Sequence, residues 1–162
     1  MDQARSFVTD GKEVSAKRNG MPPADRKRPC ILFLCVHNAG RSQMAAAFAQ
    51  EMAGEDVDVF SAGSEPASQI NPAVVAAMRE VGIDLTSRKP RKVQDEDFEI
   101  ADVVVTMGCG DACIYYPGKR YEDWDIPDPS TAPMDEIREI RDEIKRRVAH
   151  LLSSLGVSVK AK

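Results

Sequence analysis

The stretch Ile31-Leu32-Phe33-Leu34-Cys35-Val36-His37-Asn38-Ala39-Gly40-Arg41-Ser42-Gln43-Met44 decides how the rest of the chain is read. Four apolar residues, too few for a helix and closed by a polar turn, predict a buried strand that runs into a loop. From Arg41-Ser42 onward, Gln-Met-Ala-Ala-Ala-Phe-Ala is good helix-forming sequence. A cysteine at the carboxyl end of a strand, a short loop and an arginine at a helix N-terminus make a pocket lined by the backbone N–H groups of Val36, His37, Asn38, Ala39, Gly40, Arg41 and Ser42. Such a pocket binds an oxyanion.

Each residue type in it has a chemical task. The helix dipole and the Arg41 guanidinium favour negative charge, so they stabilise Cys35 as a thiolate, the nucleophilic form of cysteine. Arg41 can hold two oxygens of a tetrahedral anion in its planar fork, which a lysine could not do. Ser42 can donate its hydroxyl to the thiolate. Asn38 can take a left-handed backbone conformation and brace the loop with its amide. A lone cysteine at a strand end is ordinarily a packing residue; here Cys, five residues, then Arg-Ser between a strand and a helix argues for chemistry instead. With no lysine and little glycine, the loop is not a nucleotide P-loop.

A chain of 162 residues with 43% hydrophobic content suffices for one domain with a full core. The net charge of −4 leaves no basic footprint, so nucleic acid is not an expected partner. No apolar run is long enough for a membrane span and the N-terminus has no signal-like apolar region, which predicts a cytoplasmic protein. Nothing fixes the oligomeric state; a monomer is the expectation. The four cysteines are expected to be reduced or redox-active rather than structural disulfides.

Residues 1–28 have few large apolar residues and close on Pro22-Pro23 and Arg26-Lys27-Arg28, which predicts a flexible extension before a single α/β catalytic domain over 29–157 and a short tail over 158–162. Within the domain, Cys30 opens the first strand as a structural residue, and a helix runs from Arg41 to about Met52. Val57 to Ser61 alternates as a second strand closing on Ser-Ala-Gly. Asn71-Pro72 starts a helix that Gly82 ends, with Val74, Val75, Met78 and Val81 as its buried face. Thr86 to Lys92 is a basic loop, and Asp95 to Ile100 a short helix. Asp102 to Met107 is a β-branched strand, and a last strand lies near Lys119 to Glu122. Ile137, Ile140, Ile144, Val148, Leu151 and Leu155 mark a long amphipathic helix from Asp135 onward. Strands alternating with helices imply a parallel sheet covered on both faces, with ligands bound outside the carboxyl ends of its strands. Cys35, Ser61 and Cys109 all fall there.

The Cys35-to-Ser42 loop, Gly108-Cys109-Gly110-Asp111-Ala112-Cys113 with its Val-Val-Thr lead-in, Trp124 through Asp128-Pro129, and Ile140 to Lys145 together resemble the thioredoxin-coupled arsenate reductases of the low-molecular-weight protein tyrosine phosphatase superfamily. The resemblance covers Cys30 to about Leu155. It implies a three-layer fold, a four-stranded parallel sheet flanked by helices. It also implies arsenate as substrate, with phosphate or sulfate as mimics, and Asp128 as general acid, with Asp125 as runner-up and turn initiation as the plain alternative for both. Ser61, as well as Ser42, resembles a support behind the loop. The relay so implied carries electrons from thioredoxin, or from a low-molecular-weight thiol, through Cys113, Cys109 and Cys35 to arsenic, with no bound cofactor and no metal. Zinc on Cys109 and Cys113 would need two further ligands, and His37 and His150 do not form a cluster with them.

Two departures matter. Relatives of the staphylococcal type carry a glutamate five residues after the arginine that helps hold potassium; Ala46 stands there, so potassium dependence is not carried over. Cys109 and Cys113 are also more closely spaced, which leaves open a single-cysteine branch served by a small thiol such as mycothiol. A tyrosine phosphatase is the competing activity, disfavoured by the extra thiols and by Ser130 where phosphatases of this fold place an aromatic residue. A redox or oxyanion sensor is a third reading.

Overall fold

The computed structural model describes residues 28–108 and 117–159. Four strands, β1 (Cys30–Cys35), β2 (Asp58–Gly63), β3 (Val103–Met107) and β4 (Arg120–Asp123), form one sheet in the order β2-β1-β3-β4. Every pairing is parallel. The helices are α1 (Arg41–Ala53), α2 (Pro72–Arg79), α3 (Asp95–Ile100) and α4 (Met134–Ser154).

Because successive side chains of a strand face opposite ways, β1 feeds two cores. Ile31, Phe33 and Cys35 join Val103, Val105 and Met107 under α1, α2 and α4, while Leu32 and Leu34 join Val104, Ala62 and Phe98 on the α3 side. That is why β1 carries no polar residue: its two faces are both buried. The expected three-layer, four-stranded parallel architecture is the observed one.

The elements fall close to the expected positions. Asn71 caps α2 by accepting the Ala73 N–H at 2.9 Å, with Pro72 at the first helical position. One core assignment is corrected: Val81, expected on the buried face of α2, is 37% exposed. The helix ends at Arg79, so its periodicity no longer governs residue 81, and Ala77 sits beside Val74 and Met78 in the core instead. The extension expected over residues 1–28 lies outside the described residues except for Arg28, which pairs with Asp58 at 3.3 Å.

Register brings the loop ends together. Cys35 pairs with Gly63 on one side and Met107 on the other, so the carboxyl ends of three strands meet at the cysteine.

Candidate active site

The shape of the loop after β1 is set by where its carbonyls go. Those of Cys35, Val36, His37 and Ala39 accept the N–H groups of Ser64, Glu65, Ala67 and Asn71 at 3.3, 2.8, 2.9 and 2.9 Å. The Asn38 carbonyl takes the Gln43 side-chain amide at 3.0 Å, and that of Gly40 takes the Met44 N–H at 2.9 Å, the first turn of α1. A trans peptide points its N–H opposite to its C=O, so with these carbonyls bonded outward, the N–H groups of residues 36–41 turn into the loop. The N-terminus of the 13-residue α1 adds its positive end at the same point. Asn38 makes the bend at a φ of 51°, a left-handed conformation that asparagine tolerates.

Cys35 lies at the floor, only 2% exposed, with its Sγ 3.0 Å from Ser42 Oγ. Asn38 Nδ2 donates to the same Ser42 oxygen at 2.6 Å. With Asn38 donating to its oxygen, the hydroxyl is free to turn its own hydrogen to the sulfur, and a thiolate at Cys35, which can only accept, takes it. The Asn38 amide is in turn fixed by two donors on its Oδ1, Gln43 Nε2 at 3.1 Å and the Arg91 N–H at 3.0 Å. Gln43 is buried, and its Oε1 is without a hydrogen-bond partner among the described residues.

Arg41 is buried with its guanidinium held by the Ile126 carbonyl, to which Nη1 donates at 3.2 Å. Its Nη2 lies 3.9 Å from Asp128 Oδ2. The other Asp128 oxygen accepts the Ser130 N–H at 3.0 Å and caps the turn Pro129–Thr131. Cys35, His37, Arg41, Asn71, Asp128 and Ser130 all line one cleft of about 40 Å³. That is roughly three times the ~10–15 Å³ that one water requires, room for a small tetrahedral ion. A thiol on the floor, a fixed guanidinium beside it and a half-exposed carboxyl across the opening can hold an anion, attack it and protonate what departs.

Of the residues expected from sequence, the structure thus assembles Cys35, Val36 to Ser42 and Asp128. Asp125 is exposed and does not line this cleft. His37 sits at the rim, exposed, with Nδ1 3.1 Å from the Glu65 carbonyl oxygen. His150 is exposed on α4, in a separate groove with Trp124 and Glu143. Ser61 pairs with Phe33, lower on β2, and its carbonyl accepts from Arg91 Nη1 at 2.9 Å. The residue of that stretch that abuts the loop is Gly63, where a Cβ would lie 2.6 Å from the Val36 oxygen. Cys109 and Cys113 lie outside the described residues. Their neighbour Gly108 does not: it has a φ of +86°, and a Cβ there would meet Arg41 Nη1 at 2.5 Å. Gly108 is expected, with Gly110, to free the cysteine segment to move, and Gly63 to close β2; their close approaches to the loop and to Arg41 are new, as are the roles of Gln43 and Arg91. The glycines end their strands and could have been read as close approaches, whereas Gln43 and Arg91 carry no local signal.

Residues 30–161 match the family model of the low molecular weight phosphotyrosine protein phosphatases. The chain belongs to this family. As a low molecular weight phosphatase homologue it also aligns with arsenate reductases. Arsenate reductase 1 of Staphylococcus haemolyticus is 37% identical over 129 residues, 77% of this chain and 96% of that protein. A thioredoxin-dependent arsenate reductase of Corynebacterium glutamicum superimposes with a TM-score of 0.72 at 43% identity, over 82% of this chain. The match spans 64% of the Corynebacterium chain. An arsenate reductase solved in its phosphate binding state gives a TM-score of 0.70 at 30% identity, covering 78% of this chain and 98% of that one. No helix among the described residues is long and apolar enough to cross a membrane.

Proposed function

We propose that this low molecular weight phosphatase homologue reduces arsenate to arsenite through three of its own thiols. One observation carries the choice of reduction over simple hydrolysis: Gly108 rests against the Arg41 guanidinium, and Cys109 is the next residue, with Cys113 four further on. The chain therefore begins its cysteine-bearing segment one residue from the group that would hold the anion. Hydrolysis of a phosphate ester has no use for extra thiols there; reduction of arsenic does. The names of the relatives support the same reading.

In this reading, arsenate docks on the N–H groups of Val36 to Ser42, those of 36–41 turned inward, and on Arg41. The Cys35 thiolate attacks arsenic, and Asp128 protonates the departing oxygen, which leaves as water. The Cys109 thiolate then attacks Cys35 Sγ. A Cys35–Cys109 disulfide forms, the electron pair of the sulfur–arsenic bond passes to arsenic, As(V) becomes As(III), and arsenite leaves. Cys113 attacks Cys109, Cys35 departs as a thiolate, and thioredoxin reduces the resulting Cys109–Cys113 disulfide by thiol exchange. No bound cofactor or metal is needed, and a reducing compartment such as the cytoplasm suits the chemistry.

The test is arsenate-dependent NADPH oxidation in the presence of thioredoxin and thioredoxin reductase, run beside hydrolysis of an aryl phosphate. Sustained turnover in the first assay supports the reading. Turnover that needs mycothiol or another small thiol would move the protein to a single-cysteine scheme, and ester hydrolysis without arsenate reduction would make it a phosphatase.

A further inference from the structure

The way the Asn38 amide is turned decides whether Ser42 can donate to the nucleophile. With Nδ2 toward Ser42, as here, the hydroxyl hydrogen is free for Cys35; with the amide reversed, Asn38 Oδ1 would compete for that hydrogen and the sulfur would lose its donor. What prevents reversal is the pair of donors on Oδ1, Gln43 Nε2 and the Arg91 N–H. Gln43 belongs to α1 itself. Arg91 comes from the far side, 53 residues along the chain, and its side chain has no part in the cleft.

Arg91 is tied down in three directions. Its carbonyl accepts the Gly63 N–H at 2.9 Å, while the Gly63 carbonyl accepts the Val93 N–H at 3.0 Å, so residues 91–93 lie along the end of β2. Its guanidinium donates through Nη1 to the Ser61 carbonyl at 2.9 Å and through Nη2 to Asp97 Oδ1 at 2.6 Å. Asp97 is 6% exposed, and its second oxygen accepts the Gln94 N–H at 2.7 Å as the cap of α3. A buried carboxylate with both oxygens engaged is a rigid anchor, since leaving it unpaired would be costly. We propose that Arg91, pinned by Asp97, is a positioning residue that locks the Asn38 amide and through it directs the Ser42 hydrogen bond onto the Cys35 sulfur.

The inference concerns the thiol alone, so it is testable whether Cys35 serves reduction or ester hydrolysis. The readout is the rate at which iodoacetamide alkylates Cys35 in the intact chain at neutral pH, followed on the Cys35 peptide by mass spectrometry, in a cycle of Arg91→Ala, Asn38→Ala and the double variant. If Arg91 acts through Asn38, Arg91→Ala slows alkylation by about fivefold, the scale of one net hydrogen bond, and slows it less than about twofold once Asn38 is already alanine. Arg91→Lys, which can still pair with Asp97, recovers most of the rate. Equal slowing in both backgrounds, or no slowing in a folded Arg91→Ala protein, overturns the proposal. Should Arg91→Ala fail to fold, Asp97→Asn goes through the same cycle, because it weakens the anchor yet still accepts from Gln94 and keeps the side chain's size.

Discussion

An alcohol in place of the Cys35 thiol is neither ionised at neutral pH nor soft enough to attack arsenic. Cys35→Ser should therefore lose arsenate reduction altogether while still binding phosphate, as competition or calorimetry would show; near-normal turnover would remove Cys35 as the nucleophile. Asp128 is placed to protonate rather than to bind, so Asp128→Asn should leave phosphate affinity within a few fold and lower turnover by roughly 10². If Asp125→Asn caused the larger loss, the acid would have been misassigned, although Asp125 does not line the cleft. Gly108 offers a sharper case. Its positive φ and its contact with Arg41 mean that any side chain must push the guanidinium aside. Gly108→Ala should then weaken phosphate binding about tenfold, the scale of one charge-assisted hydrogen bond lost, with the fold intact by circular dichroism.

At the scale of elements, the segment after β3 separates two roles that single residues cannot. In the proposed relay Cys109→Ser should release no arsenite and hold the adduct on Cys35. Cys113→Ser should complete one turnover and stop with Cys35 and Cys109 bridged, since an attacking thiol is needed at each step. Mass spectrometry of both proteins after arsenate gives the answer, and repeated thioredoxin-driven turnover in both would end the three-thiol scheme. The elements themselves were legible because each announces itself locally: β1 by its unbroken apolar run, α2 by Asn71-Pro72, α4 by its periodic isoleucines. So was the loop, whose cysteine, arginine and serine lie within eight residues. Val81 departs from the expectation because periodicity says which face is buried but not where the helix stops. The contacts of Arg91 with Asn38, and of Gly63 with Val36, depend on the register of parallel strands whose partners are distant in sequence, and no local pattern encodes them.

At the scale of the whole molecule, a charged clamp ties the C-terminal end of α2 to α4. Glu80 accepts from Arg138 Nε at 3.0 Å and Nη2 at 2.8 Å, and from Arg141 Nη1 at 2.9 Å. Arg141 Nη1 also donates to the Ala77 carbonyl at 2.9 Å. The hydrogen bonds from Arg138, and then those from Arg141, lower the Glu80 pKa from its ordinary 4.5 to about 2. A carboxylate lowered in this way adds stability that is complete above pH 4.5 and is lost as pH falls through about 2. Thermal unfolding followed from pH 5 down to pH 2 should accordingly show a steeper decline in Tm for the wild type than for Glu80→Gln. The variant should start lower at neutral pH and converge with the wild type in acid. Parallel curves across that range would show that the clamp contributes nothing measurable, as many exposed ion pairs do.

β1 carries two cysteines, and its geometry keeps them apart. Cys30 and Cys35 stand at opposite ends of one extended strand, about 16 Å apart at the rise of a β-strand, and five positions of alternation turn their side chains to opposite faces of the sheet. A disulfide needs Cα atoms within about 7 Å, so oxidant stress cannot lock the reactive thiol into an internal dead end with its strand mate. Among the described residues no other cysteine is placed to capture Cys35, whose opening is the cleft it lines. An oxidised Cys35 thus stays within reach of whatever thiol restores it.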